Sequence, residues 1–175
     1  MSQNESYHVN ESLRNDLRLR KILEELPEFA SRYFYANEFS LSARTRVAYA
    51  YDLRTSFRYI ITNNPSLQYM QVRDITIAHL EQLSVHDIES YLSYLKCYHP
   101  DEQEHRTIHN TPTGIARKLS CLRSFFDYYT GIGEMKRNPA ARVSTPKIHT
   151  KEIIQLDPDE VEILLSGIEN GSDKI

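Results

Sequence analysis

Two stretches of the sequence place cationic side chains at helical spacing. Within residues 43–62, the side chains of Arg44, Tyr51, Arg54 and Arg58 fall within about a quarter turn of one another on a helix. Arginine presents several N–H donors that match the oxygens of phosphate. Taken alone, such a stripe is as well explained by a solvated surface, so a second one is needed before it indicates an anionic ligand.

Residues 113–130 supply the second stripe. Short polar side chains let a helix approach a duplex closely, while Arg and Lys reach phosphate oxygens or the acceptor edge of guanine. The two stripes together favour nucleic acid as the partner. The face opposite the apolar stripe of this helix is predicted to carry Arg117, Ser120, Cys121 and Ser124, with Lys118 and Arg123 on its flanks.

The charge distribution supports this interpretation although the net charge does not. The chain of 175 residues has 21 Lys and Arg against 24 Asp and Glu, a formal net charge of -3. Basic residues are nevertheless concentrated in two segments. Residues 40–64 contain four Lys and Arg and one acidic residue, and residues 105–151 contain nine Lys and Arg and two acidic residues. Acidic segments lie between and after them, so helical phase has to decide whether the cations converge.

Composition excludes several other classes of protein. Hydrophobic residues make up 40% and charged residues 26%, which is typical of a folded domain. No segment is apolar enough for a signal peptide or a membrane span, so we expect a soluble, cytoplasmic protein. The two cysteines have no zinc spacing, and no disulfide is expected.

Catalytic and metal-binding patterns are weak. Cys97, His99, His105 and His109 could be considered as metal ligands, but they fall in a polar segment predicted to be a loop. No Ser, His and Asp spacing suits a catalytic triad, and no glycine-rich phosphate loop is present. We therefore expect no metal, no cofactor and no small-molecule substrate.

The elements that must position the basic residues are predicted to be helices throughout, with no strand. Apolar periodicity predicts helix over residues 11–35, interrupted at Pro27, with Leu13, Leu17, Leu19, Ile22, Leu23 and Leu26 on one broad side. Ser42 caps a helix over 43–62, and Ser84 with Asp87 opens another through Leu95. A short turn at 77–83, a loop at 99–111 and a helix over 113–130 ended by Gly131 complete the prediction.

Beyond this bundle, the sequence predicts a linker and a second unit. Residues 138–152 contain Pro139 and Pro146 and no periodicity, which is typical of a domain linker. Asp157 and Pro158 open a further helix whose apolar stripe has little left to pack against. We expect residues 153–175 to begin a second domain. That stripe consists of Val161, Leu164, Leu165 and Ile168.

Four blocks of the sequence stand in an order that is itself informative. The run from Ser42 to Arg54 has the pattern S-x-x-T-x-x-x-Y-x-x-D-L-R, which resembles the opening of the core-binding domain of the tyrosine recombinases, the family of phage integrases and Xer-type resolvases. The run from Ala116 to Phe126 is similar to that domain's last major helix. Two later blocks, Arg137-Asn138-Pro139-Ala140 and the run from Leu156 to Leu165, resemble its exit into the linker and the first helix of the catalytic domain.

The resemblance implies an all-α fold, a SAM-like core-binding helical bundle with a short C-terminal stub of a second domain. It divides the chain into an N-terminal helical extension (1–40), the core-binding domain (41–137), the linker (138–152) and the start of a truncated catalytic domain (153–175). The implied partners are double-stranded DNA at a recombination half-site and other recombinase protomers. We expect the following residues to contact DNA: Arg44, Thr45, Arg46, Tyr49, Arg117, Lys118, Ser120, Arg123 and Ser124, with Lys147 and Lys151 in the linker.

Strand cleavage is not expected from these residues. In the family, the catalytic domain supplies two Arg, a Lys, a His-x-x-Arg motif, a further His or Trp, and a nucleophilic Tyr. The sequence contains neither His-x-x-Arg nor a G-x-R motif, so no residue is assigned a catalytic role. Two alternatives remain open: a helical protein-interaction module that does not bind DNA, and a truncated competitor of a full-length recombinase.

Overall fold

Six α-helices and one short strand pair make up the part of the chain that the structure describes. The structure is a computed structural model that describes residues 3–100 and 107–147, with side chains from residue 10 onward. The dominance of helix confirms the all-α prediction. The helices are α1 (Gln3–Leu23), α2 (Glu28–Ala36), α3 (Ala43–Asn63), α4 (Ile77–Glu81), α5 (Val85–Tyr94) and α6 (Pro112–Gly131), with a 3-10 turn at Val72–Asp74.

Local sequence signals explain where several helices begin. The Ser42 hydroxyl accepts a hydrogen bond from the Thr45 backbone N–H at 3.1 Å, which satisfies one of the free donors at the start of α3. Ser84 and Asp87 form the predicted capping box of α5. Pro27 stands at the start of α2, where its missing N–H costs no helical bond, and it separates α1 from α2 as predicted.

The core is built largely from aromatic rings on α2, α3 and α6. Phe125 lies at its centre, with ring centroids 5.2 Å from Tyr33, 5.9 Å from Phe57 and 5.0 Å from Tyr129. Such tilted and edge-on pairs are favoured geometries for buried rings. The predicted apolar faces of α3 and α6 are confirmed, because these residues are all buried: Ala50, Leu53, Phe57, Ile60 and Ile61 on α3, and Ile115, Leu119, Leu122, Phe126 and Tyr129 on α6.

The N-terminal helices pack in the same core as α3 and α6. Ile22, Phe29 and Tyr33 are buried in it, and the Tyr129 hydroxyl donates a hydrogen bond to the Phe29 carbonyl. Leu13 and Leu17, which the sequence groups with the apolar side of α1, are instead 57% and 65% exposed. Periodicity defines an apolar face, but neighbouring elements decide how much of it is covered.

The structure corrects the prediction that the chain contains no strand. Strand β1 (Cys97–Tyr98), just before the predicted loop of residues 99–111, pairs in an antiparallel ladder with β2 (Ile108–His109), which lies inside that loop. Two-residue strands carry too few positions for an alternating pattern to appear in the sequence.

The end of α6 also differs from the prediction. Gly131 is the last residue of the helix rather than the residue that stops it. Gly133 has a φ of 79°, the left-handed conformation that glycine adopts without steric cost. The chain therefore reverses two residues later than the sequence indicates.

The segment after α6 is anchored against the bundle. Ala140 and Val143 are buried in the core cluster, and Asn138 donates a hydrogen bond to the Arg123 carbonyl at 3.2 Å. The predicted domain boundaries remain predictions. The expected helix of Val161, Leu164, Leu165 and Ile168 lies outside the described residues. Within the described part of the chain, no helix has the length and apolar character needed to cross a membrane.

Candidate nucleic-acid interface

The two basic helices meet at a buried carboxylate. Asp52 on α3 is only 3% exposed, and its Oδ1 accepts a hydrogen bond from the Lys118 Nζ at 2.7 Å. Arg117 on α6 donates to both carboxylate oxygens, with Nη2 3.1 Å from Oδ1. A buried charge is tolerated when it is paired and hydrogen-bonded. Asp52 therefore joins the α6 cations to α3.

Arg117 and Lys118 play different parts in this cluster. Lys118 is 10% exposed in its side chain, so its ammonium group is held inside the protein by Asp52. The side chain of Arg117 is 45% exposed, and a guanidinium has five N–H donors, so it retains donors for a ligand. Of the two predicted DNA contacts, Arg117 presents charge at the surface and Lys118 does not.

The N-terminal end of α3 exposes a polar edge. Arg44 is exposed and makes no ion pair with any residue in the described ranges. Thr45 is half-buried, and its hydroxyl lies 2.8 Å from that of Ser42. Tyr49 is half-buried, and burial raises the pKa of its hydroxyl above the usual value. At neutral pH it is therefore a neutral hydrogen-bonding group.

Arg46 does not share this edge. Its guanidinium is buried, with Nη2 3.2 Å from Asp16 Oδ1 and Nη1 3.8 Å from Glu38 Oε1. Helical phase places Arg46 near the predicted contact residues, but carboxylates from the preceding segment enclose it. In this conformation the Arg46 charge pairs with carboxylates of the protein and is not presented to a ligand.

The remaining predicted residues of α6 divide between surface and interior. Ser120 is exposed and donates a hydrogen bond to the Ala116 carbonyl at 3.0 Å. Ser124 is half-buried, with its hydroxyl 2.8 Å from that of Tyr33. Cys121 was expected on the polar face, but it is fully buried and its thiol lies 3.5 Å from the Tyr49 carbonyl. Burial raises the pKa of the Cys121 thiol well above its usual value, so the thiol is neutral.

Arg123 ties the segment that follows α6 to the helix. Its Nε donates to the Ala140 carbonyl at 3.2 Å, its Nη1 to the Thr145 hydroxyl at 3.0 Å, and its Nη2 to the Val143 carbonyl. These bonds occupy the guanidinium, so Arg123 orients the exit of the chain. Lys147 is exposed at the end of that segment, and Lys151 lies outside the described residues.

Several curated proteins to which the chain is similar are named tyrosine recombinases. Over 151 residues the chain is 28% identical to a tyrosine recombinase XerC of Caldanaerobacter subterraneus subsp. tengcongensis, covering 82% of this chain and 40% of that protein. It is 29% identical over 135 residues to a tyrosine recombinase XerD of Listeria innocua, covering 77% and 38%. It is 30% identical over 125 residues to a tyrosine recombinase of Pseudothermotoga lettingae, covering 71% and 36%.

The chain belongs to the tyrosine recombinase family. The predicted resemblance is thereby confirmed. The chain spans less than half the length of these relatives, at 40%, 38% and 36%. No family model and no solved structure match it.

No sequence motif marks the carboxylates of the candidate interface. Asp52 is the only acid among residues 40–64, and it directly precedes the buried Leu53, so its position on the inward face was a usable signal. Asp16 and Glu25 gave no such signal, because they lie far along the chain from the arginines that they pair with. Only the fold brings those charges together.

Proposed function

We propose that this chain is the DNA-binding, N-terminal portion of a site-specific tyrosine recombinase, and that its core is the SAM-like core-binding domain of that family. It binds duplex DNA at a recombination half-site and joins other recombinase protomers in the intact protein. The observation that supports this most directly is the convergence of α3 and α6 at Asp52, which leaves Arg117 facing outward. The similarity to tyrosine recombinases XerC and XerD supports the recombination activity of the intact protein.

The proposed contact surface is smaller than the set predicted from sequence. It consists of Arg44, Thr45, Tyr49, Arg117 and Ser120, which line the exposed edges of α3 and α6. We assign Arg46, Lys118, Arg123 and Ser124 to holding these helices and the exit segment in place, because their polar atoms bond within the protein. Lys147 and Lys151 remain proposed backbone contacts of the linker.

We further propose that the chain binds DNA without cleaving it. Phosphoryl transfer requires several cations arranged around the reacting phosphate, and the sequence contains no His-x-x-Arg or G-x-R motif that would supply them. A duplex that carries a half-site should therefore be bound and recovered intact.

Salt dependence of duplex binding tests the DNA-binding proposal. Each phosphate contact contributes about 0.9 to the slope of log K against log salt, so Arg117→Gln should lower that slope by about one. Fluorescence anisotropy of a labelled duplex over a series of salt concentrations measures both quantities. Lys136→Gln is the matched control, because it removes one exposed charge beyond the far end of α6. Equal slopes for both variants, or binding that is insensitive to salt, would exclude this interface.

A further inference from the structure

Two arginines of α3 are bound by a carboxylate of the protein itself. The Nη1 of Arg54 lies 2.9 Å from Oε1 and 3.1 Å from Oε2 of Glu25. The Nη2 of Arg58, one turn further along α3, lies 3.4 Å from Oε2 of the same residue. One anionic group thus bridges two guanidinium groups, as a phosphate does in many arginine-lined sites.

The arginine pair stands between two open clefts. On one side lies a cleft of about 620 Å³, lined by both arginines and by Lys118. On the other lies a cleft of about 230 Å³, lined by Glu25 and Arg73. The larger cleft therefore brings the arginine pair and Lys118 of α6 to one concave surface.

The charges of the two guanidinium groups oppose each other, and the Glu25 carboxylate lies against both. Burial lowers the pKa of Arg58, the charge of Arg54 lowers it further, and the Glu25 carboxylate opposes both effects. Glu25 lies in the turn between α1 and α2, and its side chain is 45% exposed. A carboxylate in such a position can move into water when another anion takes its place, and surface ion pairs of this kind are weak.

We propose that Arg54 and Arg58 form a phosphate-binding site that Glu25 occupies in the free protein. The ligand class is the phosphoryl oxyanion, whose non-bridging oxygens accept hydrogen bonds from guanidinium groups as the displaced carboxylate oxygens do. This inference rests on the proposed function for its natural source, the phosphates of a DNA backbone. The site would add to the footprint of Arg44 and Arg117 only after Glu25 leaves.

Inorganic phosphate tests the site without DNA. In the full chain, Glu25→Gln removes the competing charge and keeps the side-chain size, while Glu24→Gln removes the same charge from a neighbouring residue that lines the same cleft. We expect the Arg54 Nε resonance in ¹⁵N NMR to shift saturably with phosphate in Glu25→Gln. In Glu24→Gln the shift should be several-fold weaker. Equal responses in the two variants would overturn the proposal.

Duplex DNA then identifies the source of the phosphate. If the backbone enters the site, Glu25→Gln should bind a duplex about threefold to tenfold more tightly than Glu24→Gln, with a slope against log salt that is steeper by about 0.9. Arg54→Gln added to Glu25→Gln should abolish that gain. A phosphate response with equal duplex affinities assigns the site to small phosphorylated compounds. A phosphate response in a protein that binds no duplex would reject the DNA-binding function and retain the site.

Discussion

Asp52 is the residue on which the geometry of the interface depends. It is almost fully buried and receives hydrogen bonds from two cations of α6. Asp52→Asn would leave the Lys118 ammonium buried without its counter-charge, and breaking a buried pair in this way costs about 3–5 kcal/mol. We expect a loss of that size in the free energy of unfolding, measured by urea denaturation.

Two further variants separate this effect from a general change in charge. Asp74→Asn removes an exposed carboxylate and should change the free energy of unfolding by less than about 0.5 kcal/mol. The double variant Asp52→Asn, Lys118→Met removes both buried charges and should recover most of the stability. If Asp52→Asn were as stable as Asp74→Asn, the buried cluster would not be holding α3 and α6 together.

At the scale of single elements, the capping box of α5 makes the stability of the helix depend on pH. The Ser84 backbone N–H and the Ser84 hydroxyl both donate to the Asp87 carboxylate, each at 2.7 Å, and these bonds lower the pKa of Asp87 below its usual value. Because the folded pKa is depressed, the stabilisation is fully present above the unfolded pKa of about 3.9. It is lost as pH falls through the folded pKa.

We therefore expect the free energy of unfolding of the wild-type chain to fall more steeply below about pH 4 than that of Asp87→Asn. The Asn variant should be less stable at pH 7, because a neutral amide makes a weaker cap bond, and the two curves should approach each other in acid. Urea denaturation at several pH values measures this difference. Parallel curves would mean that the Asp87 carboxylate is not the titrating cap.

The sequence predicted the helices well because the capping and breaking residues that mark helix ends lie close together in sequence. The Ser42 cap, the Ser84 and Asp87 box and the break at Pro27 each involve residues within a few positions, and all three are observed. Apolar periodicity likewise placed Phe57 and Phe126 in the core.

The candidate site was predicted less completely because its contacts are not local. Helical phase alone predicts that Arg46 and Lys118 lie near the contact surface. Both are buried instead, because each pairs with a carboxylate that is distant in sequence: Asp16 lies 30 positions from Arg46, and Asp52 lies 66 positions from Lys118. Cys121 was misplaced for a related reason. Residues on the border of a helix face are buried or exposed according to the neighbouring helix, which the sequence pattern of one helix does not describe.

At the scale of the whole molecule, the two N-terminal helices are part of the bundle's core. Ile22, Phe29 and Tyr33 pack with α3 and α6 residues, so a chain that starts at residue 41 would expose a large apolar surface. We expect deletion of residues 1–40 to abolish cooperative thermal unfolding followed by circular dichroism.

Deletion of residues 1–9 is the control for that truncation. It shortens α1 and leaves every one of those core residues in place, so the cooperative transition should be retained. A cooperative transition in the chain lacking residues 1–40 would instead show that the predicted extension is dispensable for folding.

The tyrosine contacts of the fold have a spectroscopic consequence. The ring centroid of Tyr94 on α5 lies 4.8 Å from that of Tyr59 on α3 and 5.0 Å from that of Tyr98 on β1. The chain has 12 tyrosines and no tryptophan. Phenol rings at this distance couple their ultraviolet transitions, and near-ultraviolet ellipticity reports fixed side-chain packing rather than helix content. The unlabelled protein therefore carries its own optical signal for the docking of α5 and the strand pair onto α3.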